Sequence, residues 1–224
     1  MNVLALDTST VACTVALQTS DDISLRHEER PREHTQLLLP MIQELLAEAG
    51  ISSGQLDVLV LGNGPGSFIG MRIAASVAQG ICFASGASLV PVSSLETVAV
   101  AALRESAGRP VLVTQDAHMD EVYLAAYGGD VDAPETVWPA SLQHAGRLPE
   151  QLTGAVTAGA GWQRYPELLA ANRDWLGSQS EILYPRADDL LRLGLRALQN
   201  GQTVAPERLE PAYLREQVAT PPAG

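Results

Sequence analysis

Residues 58–80, VLVLGNGPGSFIGMRIAASVAQG, constrain the fold more than any other stretch. A run of strand formers breaks at Gly62, Asn63, Gly64, Pro65, Gly66 and Ser67, then passes directly into a small-residue helical pattern. A strand, a glycine-rich turn and a helix in that order suit an α/β layer, with the helix packed back across a sheet. Such a turn can hold a phosphate at the helix N-terminus when it offers free N–H groups and, usually, a cation. Here Pro65 deletes one donor, and Arg72 lies five residues past Ser67, inside the helix. All fourteen basic residues are arginine, so a Walker-type lysine, a Schiff base and a Ser-Lys dyad are excluded. A serine nucleophile elbow would need glycines where Pro65 and Ile69 stand. A tight turn that lets two elements pack closely is the better account of Gly64, Pro65, Gly66 and Ser67.

The helix after the turn carries two ridges. Gly66, Gly70, Ala74, Ala78 and Cys82 are small, and Ile69, Ile73, Val77 and Ile81 beside them are large, so a neighbour can approach closely along the first. Arg72 is the only charge, and a structural ion pair or a partner contact accounts for it better than catalysis does. Residues 67–90 are apolar enough to invite a membrane reading, but Arg72, Gln79, four serines and three glycines interrupt them, which predicts a buried helix instead. An earlier helix starts between Pro31 and Thr35 and ends at Gly50. On it Leu37, Met41, Leu45, Leu38, Ala49, Ile42, Leu46 and Leu39 cover an arc of roughly 200°, about twice what one sheet conceals. Either a second helix of the same chain or another subunit must cover the rest. Pro40 falls on the polar side of the arc and should bend the helix.

Three short strands, Val3 to Leu6, Cys13 to Leu17 and Ile23 to His27, form a meander at the start. Strands at Leu56 to Leu61 and Leu89 to Val92 alternate with the helices, and a third helix covers Leu95 to Glu105. After Gly108-Arg109-Pro110 the chain begins again, with Val111 to Thr114, Asp116 and Val122 to Tyr127 repeating the opening pattern. The reading is therefore a first lobe at 1–107 and a second at 108–224, the last segment being free to return to the first lobe. Asp188 to Gln199 is an amphipathic helix, and the tail from Thr220 should fray.

The titratable groups offer little. Asp7 and Asp116 each end an apolar strand and could hold Mg²⁺ against a phosphate or accept N–H groups in their own turns. His27, His34, His118 and His144 show no ligand spacing, and Cys13 and Cys82 read as buried, reduced thiols. The formal charge of −12 repels phosphate backbones, so any tRNA contact should be borrowed from a partner. No basic leader precedes an apolar run, which points to the cytoplasm.

Several segments, in order along nearly the whole chain, resemble the TsaB (YeaZ) family. They are LALDTSTVACTVAL at 4–17, REHTQLLLPMI at 32–42, GPGSFIGMRIA at 64–74, PVSSLETVA at 91–99, DAHMDEVYLA at 116–125 and PAYLRE at 211–216. The resemblance implies an α/β fold of two actin-like ATPase lobes, of the sugar-kinase, chaperone-ATPase and ribonuclease H-like type, each a mixed meander-plus-parallel sheet with helices. It implies a non-catalytic scaffold for the threonylcarbamoyladenosine complex, which modifies N6 of the adenosine 3′ to the anticodon. The partners implied are a TsaD-like catalytic subunit, a TsaE-like ATPase and, for the chain alone, a second copy. The metal helix of TsaD-like proteins, His-x-x-x-His, is replaced here by SSLETVAVA. The Asp-x-Gly phosphate turn of active ATPases is replaced by Asp7-Thr8-Ser9, and their Gly-Gly adenosine loop by Gly159-Ala160-Gly161. No catalytic residue, metal or cofactor is therefore expected, Asp7 and Asp116 being at most a vestigial nucleotide site. Within the family pattern Ile69 and Met71 replace Thr and Leu, His118 replaces Arg and Asp120 replaces Gly. The partner interface implied is His34, Leu37, Leu38, Met41, Ile42, Leu45, Ile69, Arg72 and Ile73. The alternative is an ATP/Mg-binding phosphotransferase of the same superfamily.

Overall fold

A computed structural model describes residues 1–20 and 22–215; the tail from Thr220 lies outside the described residues. The opening meander is β1 (Asn2–Asp7), β2 (Ala12–Thr19) and β3 (Asp22–Glu29), each antiparallel to the last. β4 (Val58–Gly62) then pairs parallel to β1, and β5 (Ser88–Val92) parallel to β4, giving the order β3-β2-β1-β4-β5. The chain repeats this plan. β6 (Val111–His118), β7 (Glu121–Asp130) and β8 (Ala133–His144) form a second meander, and β9 (Val156–Ala158) pairs parallel to β6, in the order β8-β7-β6-β9. The second sheet is the first without its fifth strand.

Strand alternation sends side chains of the first sheet into two cores. Leu4, Leu6, Val15, Leu59 and Leu61 point to the face covered by α1 (His34–Glu48) and α2 (Phe68–Ser85). Val3, Ala5, Val58 and Val60 point to the other face, where Leu190 and Leu191 of α6 (Ala187–Gln199) lie on them. Burial on both faces explains why β4 reads as an unbroken apolar run. Cover is exchanged between the halves. While α6 returns to the first sheet, α3 (Ser94–Leu103) sets Leu95, Val98, Ala99 and Ala102 against Val111, Val113 and Ala125 of the second. An ion pair between Arg104 and Asp189 joins the two regions.

The second sheet's remaining face is closed by Trp138, Trp162, Tyr165, Leu168 and Trp175. These come from β8, from α4 (Gly161–Arg164) and α5 (Pro166–Asn172), and from the turn after α5. Sequence patterns did not mark β8, α4 or α5. β8 is an edge strand carrying Pro134 and Pro139, which only an edge tolerates, and the two helices span four and seven residues. Cys13 and Cys82 are buried free thiols, pushed up to about 12 and about 11 by desolvation.

Among the described residues α2 alone is long and apolar enough to cross a membrane. The expectation that it is a buried helix needs correction: only one of its faces is buried, and Ile69 and Phe83 stand out from it.

Candidate functional site

The two ridges of α2 lie side by side and are buried to different depths. Ser67 caps the helix by accepting from the Gly70 N–H at 3.3 Å. Thr8 Oγ1 donates to the Gly70 carbonyl at 2.7 Å, and a Cβ on Gly70 would stand 1.9 Å from the Thr8 carbonyl oxygen. Only glycine permits that approach. Ala74, Ala78 and Cys82 follow Gly70 into the core, so the small ridge seats α2 on the sheet. The large ridge beside it packs against the same core and stays partly open to solvent. Ile69 is 70% exposed, and Ile73 and Val77 are half-buried.

Between this ridge and α1 runs a groove of about 410 Å³, lined by Leu38, Leu39, Ile69, Ile73 and Val77. His34 stands at the α1 N-terminus and is buried, its Nε2 2.9 Å from the Thr10 carbonyl, so it ties the helix to the β1–β2 turn. The wide apolar arc of α1 is mostly answered within the chain. Leu38, Met41, Ile42, Leu45 and Leu46 are buried in the core of the first sheet and Leu37 is half-buried. Of the large side chains on the arc, Leu39 is left 49% exposed. Of the two covers open to the arc, the chain itself supplies most and another subunit is needed for little of it, and the open apolar surface lies chiefly on α2.

Arg72 is the one charge on this surface. Its guanidinium lies 3.8 Å from the Phe68 ring centroid, and its Nε donates to the Tyr213 hydroxyl at 3.1 Å. Among the described residues it pairs with no carboxylate.

Tyr213 belongs to the strap 209–215, which crosses from one lobe to the other. On the first lobe Asn63 Nδ2 donates to the Glu210 carbonyl at 3.0 Å, and the Ala212 N–H to the Asn63 carbonyl at 3.1 Å. On the second, Arg215 donates to the Ala117 carbonyl at 2.9 Å and pairs with Glu121. Beneath the strap lies a cleft of about 190 Å³, lined by Gly66, Ser67, Phe68, Met71, Asp116 and Arg215 among others.

Asp7 and Asp116 do not meet in this cleft. Asp7 is fully enclosed and absent from its lining. It accepts from the Ser9 N–H at 2.6 Å and from Ser94 Oγ at 2.5 Å, and Ser94 Oγ in turn accepts from the Gly64 N–H at 3.0 Å. A Cβ on Gly62 would stand 1.9 Å from Asp7 Oδ2, so the strand seals the carboxylate from that side. Burial pushes the Asp7 carboxyl above its ordinary value, with the two serines opposing that shift. Asp116 does reach the cleft, where its Oδ1 accepts from the His118 N–H and from the Tyr165 hydroxyl, both at 2.8 Å. Burial, reinforced by that carboxylate, pushes the Tyr165 phenol up to about 12. Among the described residues no group of three or more His, Cys, Asp or Glu side chains is placed to hold a metal.

Two meander sheets of one topology, with exchanged helices and a cleft between them, define a two-lobed α/β protein of the actin-like, ribonuclease H-like class. The family model described as TsaD: tRNA N6-adenosine threonylcarbamoyltransferase matches residues 28–152. Two proteins named tRNA threonylcarbamoyladenosine biosynthesis protein TsaB align along almost the full length. The one from Escherichia coli is 39% identical over 98% of this chain and 96% of its own length, and that from Haemophilus influenzae is 34% identical over 97% and 95%. The solved structure of YeaZ from Pseudomonas aeruginosa superposes with a TM-score of 0.85 at 36% identity, covering 95% of this chain and 99% of that one. The chain belongs to the TsaB family, within the wider group that the TsaD model describes.

Proposed function

We propose that this chain serves tRNA threonylcarbamoyladenosine synthesis as a non-catalytic subunit that binds and stabilises a TsaD-like catalytic subunit. The observation that carries this reading is the groove between α1 and α2, with Ile69 and Leu39 exposed beside it. Burying an exposed Ile or Leu contributes about 1.5–3 kcal/mol, so a partner that covers these side chains gains what the single chain leaves unused. The interface then centres on Ile69, Ile73, Leu39 and Arg72, with Leu37 at its margin. Leu38, Met41, Ile42, Leu45 and His34 support it from below rather than meeting the partner.

A TsaE-like ATPase joins the pair, and in the absence of TsaD the same face pairs with a second copy. With a formal charge of −12, contact with tRNA runs through the partners. The chain works in the cytoplasm, without a membrane.

The enzyme alternative needs Asp7 and Asp116 to share Mg²⁺ and ATP. Asp7 is sealed under Gly62 and committed to Ser9 and Ser94, which speaks against it. Size-exclusion chromatography with light scattering, on the chain alone and mixed with the TsaD-like subunit of the same organism, tests the scaffold. A stable heterocomplex is expected, and two separate peaks would overturn the reading. Calorimetry of the isolated chain with ATP and Mg²⁺ tests the alternative, which micromolar binding would revive.

A further inference from the structure

The α1–α2 face carries an imbalance of charge that bears on which partner it accepts. Among the described residues its lining contains one exposed cation, Arg72, and no Asp or Glu. α2 has no carboxylate anywhere along its length. On α1, Glu44 and Glu48 are both taken by Arg26, and Glu33 at its N-cap is taken by Arg30. The other basic side chain of the lining, His34, is buried and turned to the Thr10 carbonyl. Among the described residues the Arg72 guanidinium meanwhile spends only its Nε, on the neutral Tyr213 hydroxyl, and lies over the Phe68 ring. Its terminal nitrogens are the part of the fork that would grip a carboxylate from outside.

A two-fold pairing of this face with itself uses the same patch on both sides. It would therefore enclose two guanidinium groups with no uncommitted carboxylate from either copy's groove, and enclosed charges without partners are costly. A different chain can meet the same surface with an apolar helical ridge plus one carboxylate, and satisfy Arg72 at the moment it is desolvated. Resting on the scaffold reading above, we infer that Arg72 is the specificity residue of this face: it selects a heterologous partner that places an Asp or Glu opposite it, and disfavours a second copy of this chain. The overall charge works in the same direction, since two copies at −12 each repel, while the groove is a local positive spot on an acidic surface.

The test compares two equilibria on the same variants. Dissociation constants of the homodimer, by analytical ultracentrifugation, and of the complex with the TsaD-like subunit, by calorimetry, are measured for the wild type, Arg72→Met and Arg72→Gln. Both variants should weaken the heterocomplex by about 30-fold or more, the scale for removing one partner of an enclosed charge pair. Both should leave the homodimer unchanged or tighter. Arg72→Lys keeps the charge without the planar fork and should fall between. Arg72→Glu should abolish the heterocomplex, and one Asp or Glu→Arg replacement among the partner's own carboxylates should restore it. A merely structural Arg72 would weaken both assemblies together and find no rescuing reversal, and either result overturns the inference. Failure of the wild type to bind the TsaD-like subunit at all would instead remove the scaffold reading, so the two failures are distinguishable.

Discussion

The two lobes share a strand order and differ in what they do with the apolar groups that follow it. In the second lobe, the segment after β9 folds down as two short helices and a turn, and its large side chains end inside: Trp162, Leu168 and Trp175 are buried against the sheet. In the first, the segment after β4 becomes an eighteen-residue helix whose small side chains face the sheet, while Ile69 and Phe83 stand exposed and Ile73, Val77 and Ile81 are half-buried. A helix also separates β3 from β4, and the stretch between β8 and β9 contains none. The same plan thus yields a closed lobe and an open one. Where Gly70 and the alanines behind it let α2 sit close to the sheet, Ile69 is left exposed and Ile73 and Ile81 are only half-covered. The open surface is built by the ordering of residues along one helix, and it occurs only in the lobe that has a second helix to form a groove with.

That contrast can be tested by attacking each lobe where it is strongest. Trp175→Ala empties a 2% exposed site in the closed lobe and should cost about 3–5 kcal/mol in urea denaturation. Ile69→Glu in the open lobe should change the same measurement by no more than about 0.5 kcal/mol, because the side chain is already in water. In a pull-down or calorimetric titration it should nevertheless weaken the complex with the TsaD-like subunit by about 100-fold, since a charge would enter an apolar contact and, three residues from Arg72, would occupy the guanidinium that the partner needs. A fall in stability with no effect on binding would reverse the roles assigned to α2. Leu38→Glu is a poorer probe, because Leu38 lies in the core and the substitution should unfold the first lobe.

Asp7 gives a smaller effect with a definite sign. Burial raises its carboxyl above the ordinary value, so the folded chain holds this proton more tightly than the unfolded chain does. Its contribution to stability is present below the ordinary carboxylate range, near pH 4, and is lost as pH rises through the folded value. Asp7→Asn removes that titration. Relative to wild type, the variant should gain stability as pH rises above about 4 in parallel urea unfolding series. A difference that stays flat would show that the two serines hold the carboxylate ionised. The least effect is expected from Tyr213→Phe, which removes one hydrogen bond to Arg72 and should lower stability by about 1 kcal/mol or less in thermal denaturation.

Much of this plan could be read from residue order, because its strongest elements follow local rules. The opening meander, the strand ending at Gly62 and the Gly66 to Cys82 ridge each had a period or a turn that named them. Helix limits fell within a residue or two, with α3 at Ser94–Leu103 and α6 at Ala187–Gln199. What escaped depends on neighbours. The arc on α1 was wide because the helix sits between a sheet and α2, and periodicity gives the width of an apolar face without naming what covers it. The two aspartates looked alike, each at the end of an apolar strand, yet Gly62, Ser9 and Ser94 close over one, and Tyr165, forty-nine residues further along, binds the other. Distant contacts of that kind leave no local pattern. The strap carries no repeat and so no periodic signal, and in the sequence it stands out only through the family segment PAYLRE.

The exchange of α3 and α6 between the sheets bears on how the protein is made. A nascent chain that has reached Gly108 holds every strand of the first sheet but lacks the cover for Val3, Ala5, Val58 and Val60, which arrives only with Leu190 and Leu191. The ribosome must therefore synthesise most of the second lobe before the first can close, and neither half can be expressed as a stable product by itself.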